Sequence, residues 1–535
     1  MIPTTMSNTS LKNFPSCEGY RAELALLDLF SGCGGMSTGL CLGAKLSCVD
    51  LVTVRNEAAE DFLELLNEWE KLCKKYAADD IEGIHQSSRV AKENENFLDD
   101  VDVSPGEYEV SRFVDICYGD PDGTGKRGLK FKVHWKGYST SDDTWEPIEG
   151  LSNCQECIRN FVKHGFKSRI LPLPGDVDVI CGGPPCQGIS GYNRYRNVNS
   201  PLADERNRQI VVFMDIVQLL KPKFVLMENV VDILKFDKAS FARYALSRLK
   251  LPQFPLPTHD VIVRYWPPLE FERNTVAYNE DQPRELEKAS ILENAISDLP
   301  PVTSHETHEE LTYGMPPKTD FQRFIRSTKY EMTGSSLKGS TETKNLLYDH
   351  RPYSLTEEDY ARVCQIPKRK GANFRNLPGV VVGPDNVARR DPKHEQVLLP
   401  SGKPLVPDFA LGFESGKSKR PYARLWWDET VSTVVTFPDL HSQAIIHPEQ
   451  DRVLTIRECA RLQGFPDYYR FCGTVKERYR QVGNAVAVPV GRALGYALGM
   501  AFQKLIDDEP LMKLPPKFSH STNLQLANSV FQKSE

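Results

Sequence analysis

The chain has 535 residues and 60.5 kDa, a formal net charge of −6, a pI near 6.1, 40% apolar and 26% charged residues. Such a length suggests roughly 3 domains, and the composition excludes collagen-like and wholly disordered chains. The absence of any run of about 18 apolar residues and of an apolar leader argues against membrane spanning and secretion, and 13 scattered cysteines favour free thiols in a reducing compartment.

In chain order, residues 22–30 (AELALLDLF) form an apolar run that leads into Ser31-Gly32-Cys33-Gly34-Gly35 and a helix-compatible stretch over 36–44. Strand, glycine turn and helix start are the opening of a doubly wound α/β domain. Residues 57–77 space Phe62, Leu65, Leu66, Trp69 and Leu72 as one helical face, so 22–78 reads as the first part of that domain. The acidic stretch 79–105 reads as a solvated linker. A compact block follows over 106–166, in which Leu129, Phe131, Val133 and Trp135 alternate onto one strand face.

The α/β pattern then resumes over 170–250. DVDVICGG (176–183) and KFVLMENV (223–230) are apolar runs that each end in a loop, as buried parallel strands do. Periodicity is weak over 251–448, where KRKGANFR (368–375), ARRDPKH (388–394) and KSKRPYAR (417–424) are basic clusters. Residues 449–506 recover helices at 456–463 and 490–505, and 507–535 reads as a polar, frayed tail.

Three constellations carry chemistry. Glycines 32, 34 and 35 let backbone approach a ligand at a helix N-terminus, although glycine turns after strands are common. In Gly182-Gly183-Pro184-Pro185-Cys186-Gln187-Gly188 a thiol stands just past a buried strand, where α/β sheets hold ligands, on a loop stiffened by two prolines. That position favours a nucleophile over a structural cysteine. Glu228-Asn229-Val230 follows the next apolar strand, and a partly desolvated carboxyl there can exchange a proton with a ring nitrogen; an ordinary capping acid is the alternative.

These segments, with Arg457-Glu458-Cys459-Ala460-Arg461-Leu462-Gln463-Gly464-Phe465-Pro466 and Gln481-Val482-Gly483-Asn484-Ala485-Val486, resemble the ordered motifs of DNA cytosine-5 methyltransferases over about 22–78 and 170–506. Tyr108-Glu109-Val110, Phe131 to Tyr138 and Thr144-Trp145-Glu146-Pro147 resemble a chromodomain. A chromodomain inserted before the Pro-Cys-Gln loop is the arrangement of plant chromomethylases. The resemblance implies a class I S-adenosylmethionine-dependent methyltransferase fold (Rossmann-like α/β) with an inserted β-rich chromodomain and an irregular target-recognition region over 251–448.

It further implies Cys186 as the nucleophile that adds to cytosine C6 and Glu228 at the ring's N3 edge, on a base flipped out of double-stranded DNA. S-adenosylmethionine would lie against Phe30, Gly32, Cys33, Gly35, Asp61, Pro185, Val212, Asn484, Ala485 and Val486. Tyr108, Trp135 and Tyr138 match a methyl-lysine cage, each ring worth about 0.5–2 kcal/mol, with Asp142 at its rim. The implied partners are DNA, chromatin and the histone H3 tail methylated on its ninth residue, a lysine, with no membrane and no metal; the implied compartment is the nucleus. Cys154-x-x-Cys157 lacks a second pair and reads as a helix face.

The sequence also departs from the family. Only about 20 residues precede the first motif, where chromomethylases carry a bromo-adjacent homology domain. A second strand with its ribose-binding acid, and the helix after it, are expected between Val54 and Arg55, and no matching acid stands there. A strand with a Gln-x-Arg-x-Arg motif is expected after the helix at 239–249, where the chain runs straight into Lys250-Leu251-Pro252. These gaps leave an alternative reading, a catalytically impaired chain acting as a methyl-histone reader. An unrelated thiol enzyme would need a base beside Cys186, and no histidine motif supplies one.

Overall fold

The computed structural model describes residues 22–47, 49–53, 59–78, 109–190, 195, 197, 204–234, 254–259, 286–333, 346–505, 511–516 and 518–520. In chain order the elements used below are β1 (Ala22–Leu29), α1 (Gly35–Leu46), β2 (Val49–Thr53), α2 (Ala59–Tyr76), β3 (Val110–Gly119), β4 (Gly128–Trp135), β5 (Thr144–Pro147), α3 (Gln155–Ser168), β6 (Val179–Gly182), α4 (Arg208–Leu220), β7 (Phe224–Met227), α5 (Ile456–Leu462), α6 (Val475–Asn484) and α7 (Val488–Phe502). Two compact units form: one from 1–23, 31–51 and 251–535, the other from 24–30 and 52–250.

In the 24–30/52–250 unit, β1, β6 and β7 run parallel, with Leu27 level with Ile180 and Ile180 level with Val225. Their aliphatic runs suit a sheet covered on both faces. The face of α2 foreseen from its spacing is buried: Phe62, Leu65, Leu66, Trp69 and Leu72 join one core with Ile180, Phe213, Phe131 and Val162. The inserted block is a three-stranded antiparallel sheet, β3-β4-β5, with α3 packed against it. Leu129, Phe131 and Val133 of β4 are buried as expected, and Phe113, Phe131 and Phe161 meet edge-on or tilted.

Lys130 on the other face of β4 is buried as well. Its ammonium meets Asp122 at 2.5 Å and Asp120 at 3.5 Å in the turn Asp120-Pro121-Asp122-Gly123-Thr124-Gly125. The same Asp120 carboxylate accepts from the backbone N–H groups of Thr124 (3.0 Å) and Gly125 (2.7 Å). The hydrogen bond from the Lys130 ammonium holds the pKa of the Asp122 carboxyl down to about 2.

In the other unit, α1 and α7 cross at backbone contact. A Cβ on Gly43 would lie 1.9 Å from the Arg492 carbonyl oxygen, and one on Gly495 would lie 2.2 Å from that of Leu40. Only glycine permits that approach. The remainder of this unit corrects the sequence reading in three places. Residues 251–448, weakly periodic in sequence, supply much of a continuous core that includes Leu292, Phe374, Tyr422 and Ile446. Buried arginines knit it: Arg461 binds Asp298 and Asp467, Arg452 grips Glu458 at 2.7 and 2.8 Å, and Arg424 donates to the His447 and Gln450 carbonyls. Leu511–Met512 pair in parallel with Phe254–Pro255 and Phe518 is buried, so this part of the tail is folded, its apolar residues having a partner surface. Finally, 49–53 forms the strand β2, just ahead of the point between Val54 and Arg55 where the sequence reading expected a further strand. The helix expected at 239–249 lies outside the described residues.

Candidate active site

The loop after β6 and the loop after β7 are laced together. The Glu228 N–H donates to the Gly182 carbonyl at 2.9 Å, and the Asn229 side-chain amide donates to the Pro184 carbonyl at 3.0 Å. A Cβ on Gly183 would lie 3.0 Å from Glu228 Oε2, so the carboxylate overhangs the glycine-proline loop. The Cys186 carbonyl accepts from the N–H groups of Ile189 (3.0 Å) and Ser190 (2.8 Å), closing a turn around the thiol. Cys186 and Glu228 thus stand on one edge of the sheet, while Pro185 is exposed beside them.

Glu228 bears on the chemistry of Cys186. Burial raises the Cys186 thiol above its ordinary value, and the carboxylates of Glu228 and Asp232 push it further in that direction. Glu228 opens to solvent, yet the protein crowding its carboxyl strips enough water to raise its pKa too. Both shifts favour the neutral forms. Protonation of Glu228 is thereby eased, and Cys186 is a thiol rather than a resting thiolate.

The residues expected at the cofactor fall in both units. The turn after β1 holds Phe30, Gly32 and Gly34 at positive φ (57°, 54° and 72°). For Phe30 this is a strained conformation, of the kind that gathers at functional sites. Space lies open where a Cβ on Gly32 would project, whereas one on Gly35 would meet Val486 and Ala485 at 2.8 and 3.0 Å. Cys33 donates its thiol proton to the Gln481 carbonyl at 3.2 Å. Gly35, Ala485 and Val486 are therefore brought together, with Asn484 exposed next to them.

In the other unit, Val212 is buried on α4 in the core below the sheet. Asp61, in the first turn of α2, is ion-paired with Arg127 from the turn between β3 and β4, and its Oδ2 lies 3.1 Å from where a Gly119 Cβ would be. One of its oxygens is thus engaged by the inserted domain. Two positioning residues escaped the sequence reading. The Tyr469 hydroxyl donates to the Cys33 carbonyl, and Gln463 donates to the carbonyls of Val482 (3.1 Å) and Ala485 (2.9 Å), holding the loop that carries Val486. Gln463 belongs to the Gln-Gly-Phe-Pro end of a quoted motif, which was the available signal.

In the inserted domain, Trp135 is half-buried and donates its indole N–H to Thr144 at 2.9 Å, while Tyr138 is 48% exposed three residues past β4. Asp142 accepts from the Ser139 N–H at 3.1 Å within a capping box, so this exposed carboxylate also fixes the loop. Tyr108 lies outside the described residues. Its neighbour Glu109 is held to Lys136 by side chain (3.1 Å) and backbone (2.9 Å). Cys154 caps α3 and Cys157 lies within it, both packed on apolar neighbours, the helix face expected. Among the described residues no single helix is long and apolar enough to cross a membrane.

Comparison with known proteins places this geometry. The family model for C-5 cytosine-specific DNA methylase matches residues 158–251 and 286–500, and that for the Chromo (chromatin organisation modifier) domain matches 108–164. DNA (cytosine-5)-methyltransferase CMT2 of Arabidopsis thaliana is 58% identical over 593 aligned positions, taking in 99% of this chain and 45% of that protein. CMT2 of Oryza sativa subsp. japonica is 54% identical (94% of this chain, 43% of that protein), and CMT3 of Arabidopsis thaliana 50% (94% and 67%). The chain spans about half the length of the first two of these relatives. The 593 aligned positions also exceed the chain's own 535 residues, so the Arabidopsis CMT2 carries stretches that this chain lacks.

Proposed function

We propose, from the premise that this chain belongs to the chromomethylase family of C-5 cytosine-specific DNA methylases, that it methylates cytosine in double-stranded DNA at chromatin carrying histone H3 methylated on its ninth residue, a lysine. The observation that carries the reading is the lacing of the Cys186 and Glu228 loops onto one sheet edge. Nuclear location follows from such a substrate.

Cytosine C5 is a poor nucleophile until C6 is attacked. Glu228, held toward its protonated form, donates a hydrogen bond to N3 and draws electron density from the ring. Cys186 loses its proton to solvent and its sulfur bonds to C6, which breaks the C5–C6 π bond and leaves that electron pair at C5. After methylation at C5, loss of the C5 proton restores the C5–C6 double bond and expels the Cys186 thiolate. The stiff Pro184-Pro185 segment and the Asn229–Pro184 bond keep the sulfur aimed during both steps.

S-adenosylmethionine fits the turn after β1: open space at Gly32, close packing at Gly35 and the N-terminus of the 12-residue α1, whose dipole favours a carboxylate. It supplies the electrophilic methyl group. Gly32, Cys33, Gly35 and Val486 would hold it. In the inserted domain, Trp135 and Tyr138, with Tyr108, would enclose a methylated ammonium by cation–π attraction, with Asp142 adding negative charge at the rim.

The test is covalent trapping on duplex DNA containing 5-fluorocytosine, with S-adenosylmethionine and Cys186→Ser as control. Fluorine cannot leave C5 as a proton does, so a denaturation-resistant adduct accumulates and is lost in the control. A second reading rests on the alignment longer than the chain and on the half-exposure of β7: a methyl-histone reader without turnover. Absence of adduct from a folded chain that binds the methylated H3 peptide would establish that reading instead.

A further inference from the structure

We propose that His259, Glu287 and His520 form a binding site for a zinc-class divalent cation. Their ligating atoms all lie within 4.8 Å of one another, the one such group among the described residues. The three come from distant parts of the sequence and are brought together by backbone. His259 and Glu287 form a parallel bridge, and the Glu287 N–H donates to the Thr258 carbonyl at 3.0 Å. The parallel pairing of Phe254–Pro255 with Leu511–Met512 returns the later chain to the same place, and His520 stands eight residues beyond it.

The side chains are oriented as metal ligands are. His259 hydrogen-bonds through Nδ1 to the Thr258 hydroxyl at 2.9 Å, which fixes the ring and leaves Nε2 facing Glu287 Oε2 at 3.5 Å. The His520 ring lies perpendicular to that of His259, centroids 5.7 Å apart. Its Nδ1 is buried without a hydrogen-bond partner. A simple His259–Glu287 ion pair would account for two of the three residues and leave that nitrogen unexplained, at a cost of about 1–3 kcal/mol.

Two imidazoles and one carboxylate are a zinc-type donor set, with the fourth position left to water. Bonds of about 2.0–2.1 Å bring tetrahedral ligands to roughly 3.4 Å from one another, so side-chain rotation of about an ångström closes the site. Zinc requires neutral imidazoles. Burial, and the neighbouring His259, lower the pKa of His520 and so keep its lone pair available. A bound ion would clip residues 511–520 to the 254–259 segment.

The full-length chain, stripped of metal, is titrated with zinc against a chromophoric chelator beside His259→Gln, Glu287→Gln and His520→Gln. The expected result is one tight equivalent, weakened about tenfold or more in each variant. Cobalt(II) substitution separates this site from the chain's 13 cysteines: d–d bands without thiolate charge transfer are expected. Should a variant fail to fold, hydrogen exchange of the unsubstituted chain decides, with amides in 254–259 and 511–516 slowed by zinc. Equal zinc binding by all four chains, thiolate charge-transfer bands, or unchanged exchange would each overturn the proposal.

Discussion

β6 and β7 are neighbours in register and nearly matched in apolar content, yet Val179–Gly182 is fully buried while Phe224–Met227 is half-exposed throughout. β6 lies between β1 and β7; among the described residues β7 is paired on one side only. Burial therefore follows position in the sheet rather than composition. The consequence is chemical, because β6 delivers Cys186 and β7 delivers Glu228. Cys186 follows a strand set in a filled core, and Glu228 follows a strand whose own faces are partly wet.

The largest test of this asymmetry is a matched pair of truncations at one register position. Ile180→Ala should destabilise the chain by about 3 kcal/mol, and its cross-strand partner Val225→Ala by about 1 kcal/mol. Urea unfolding measures both, and equal costs would erase the distinction between the strands.

A smaller effect probes the coupling across the two loops. Cys186 is held protonated by burial and by its carboxylate neighbours, so its alkylation by iodoacetamide should climb with pH through the range above 9. Glu228→Gln removes one of those negative charges, which moves the thiol pKa down and the curve to lower pH. At pH 8 the rate, followed by mass spectrometry of the Cys186 peptide, should rise about 2–5-fold. A slower or unchanged rate would disconnect the two residues.

The same chain shows what a sequence can and cannot disclose. The placing of Cys186 and Glu228 at one sheet edge was legible because each directly follows an apolar strand, and in such sheets the strand ends are where ligands gather. The buried face of α2 was legible because helical spacing is local. The core of 251–448 was not: its buried polar groups are bonded to residues far away in the chain, as Asp298 is to Arg461, 163 residues later, and no periodic pattern encodes that. The Asp61–Arg127 pair escaped for the same reason, joining residues on either side of the acidic linker. The short strand β2 was passed over because its five residues (VDLVT) include a charged one and end where a family segment was expected.

The buried Lys130 ammonium has a further implication. Asp120, Asp122 and the backbone turn around them form a pocket of oxygens that, on another scaffold, would invite a dissolved cation. Here the counter-ion is covalently part of the strand, so mass action does not govern its occupancy. The inserted domain's first hairpin should keep its shape in chelator and in calcium alike, and an acyl group on that one amine would empty a position no ion from solution had been needed to fill.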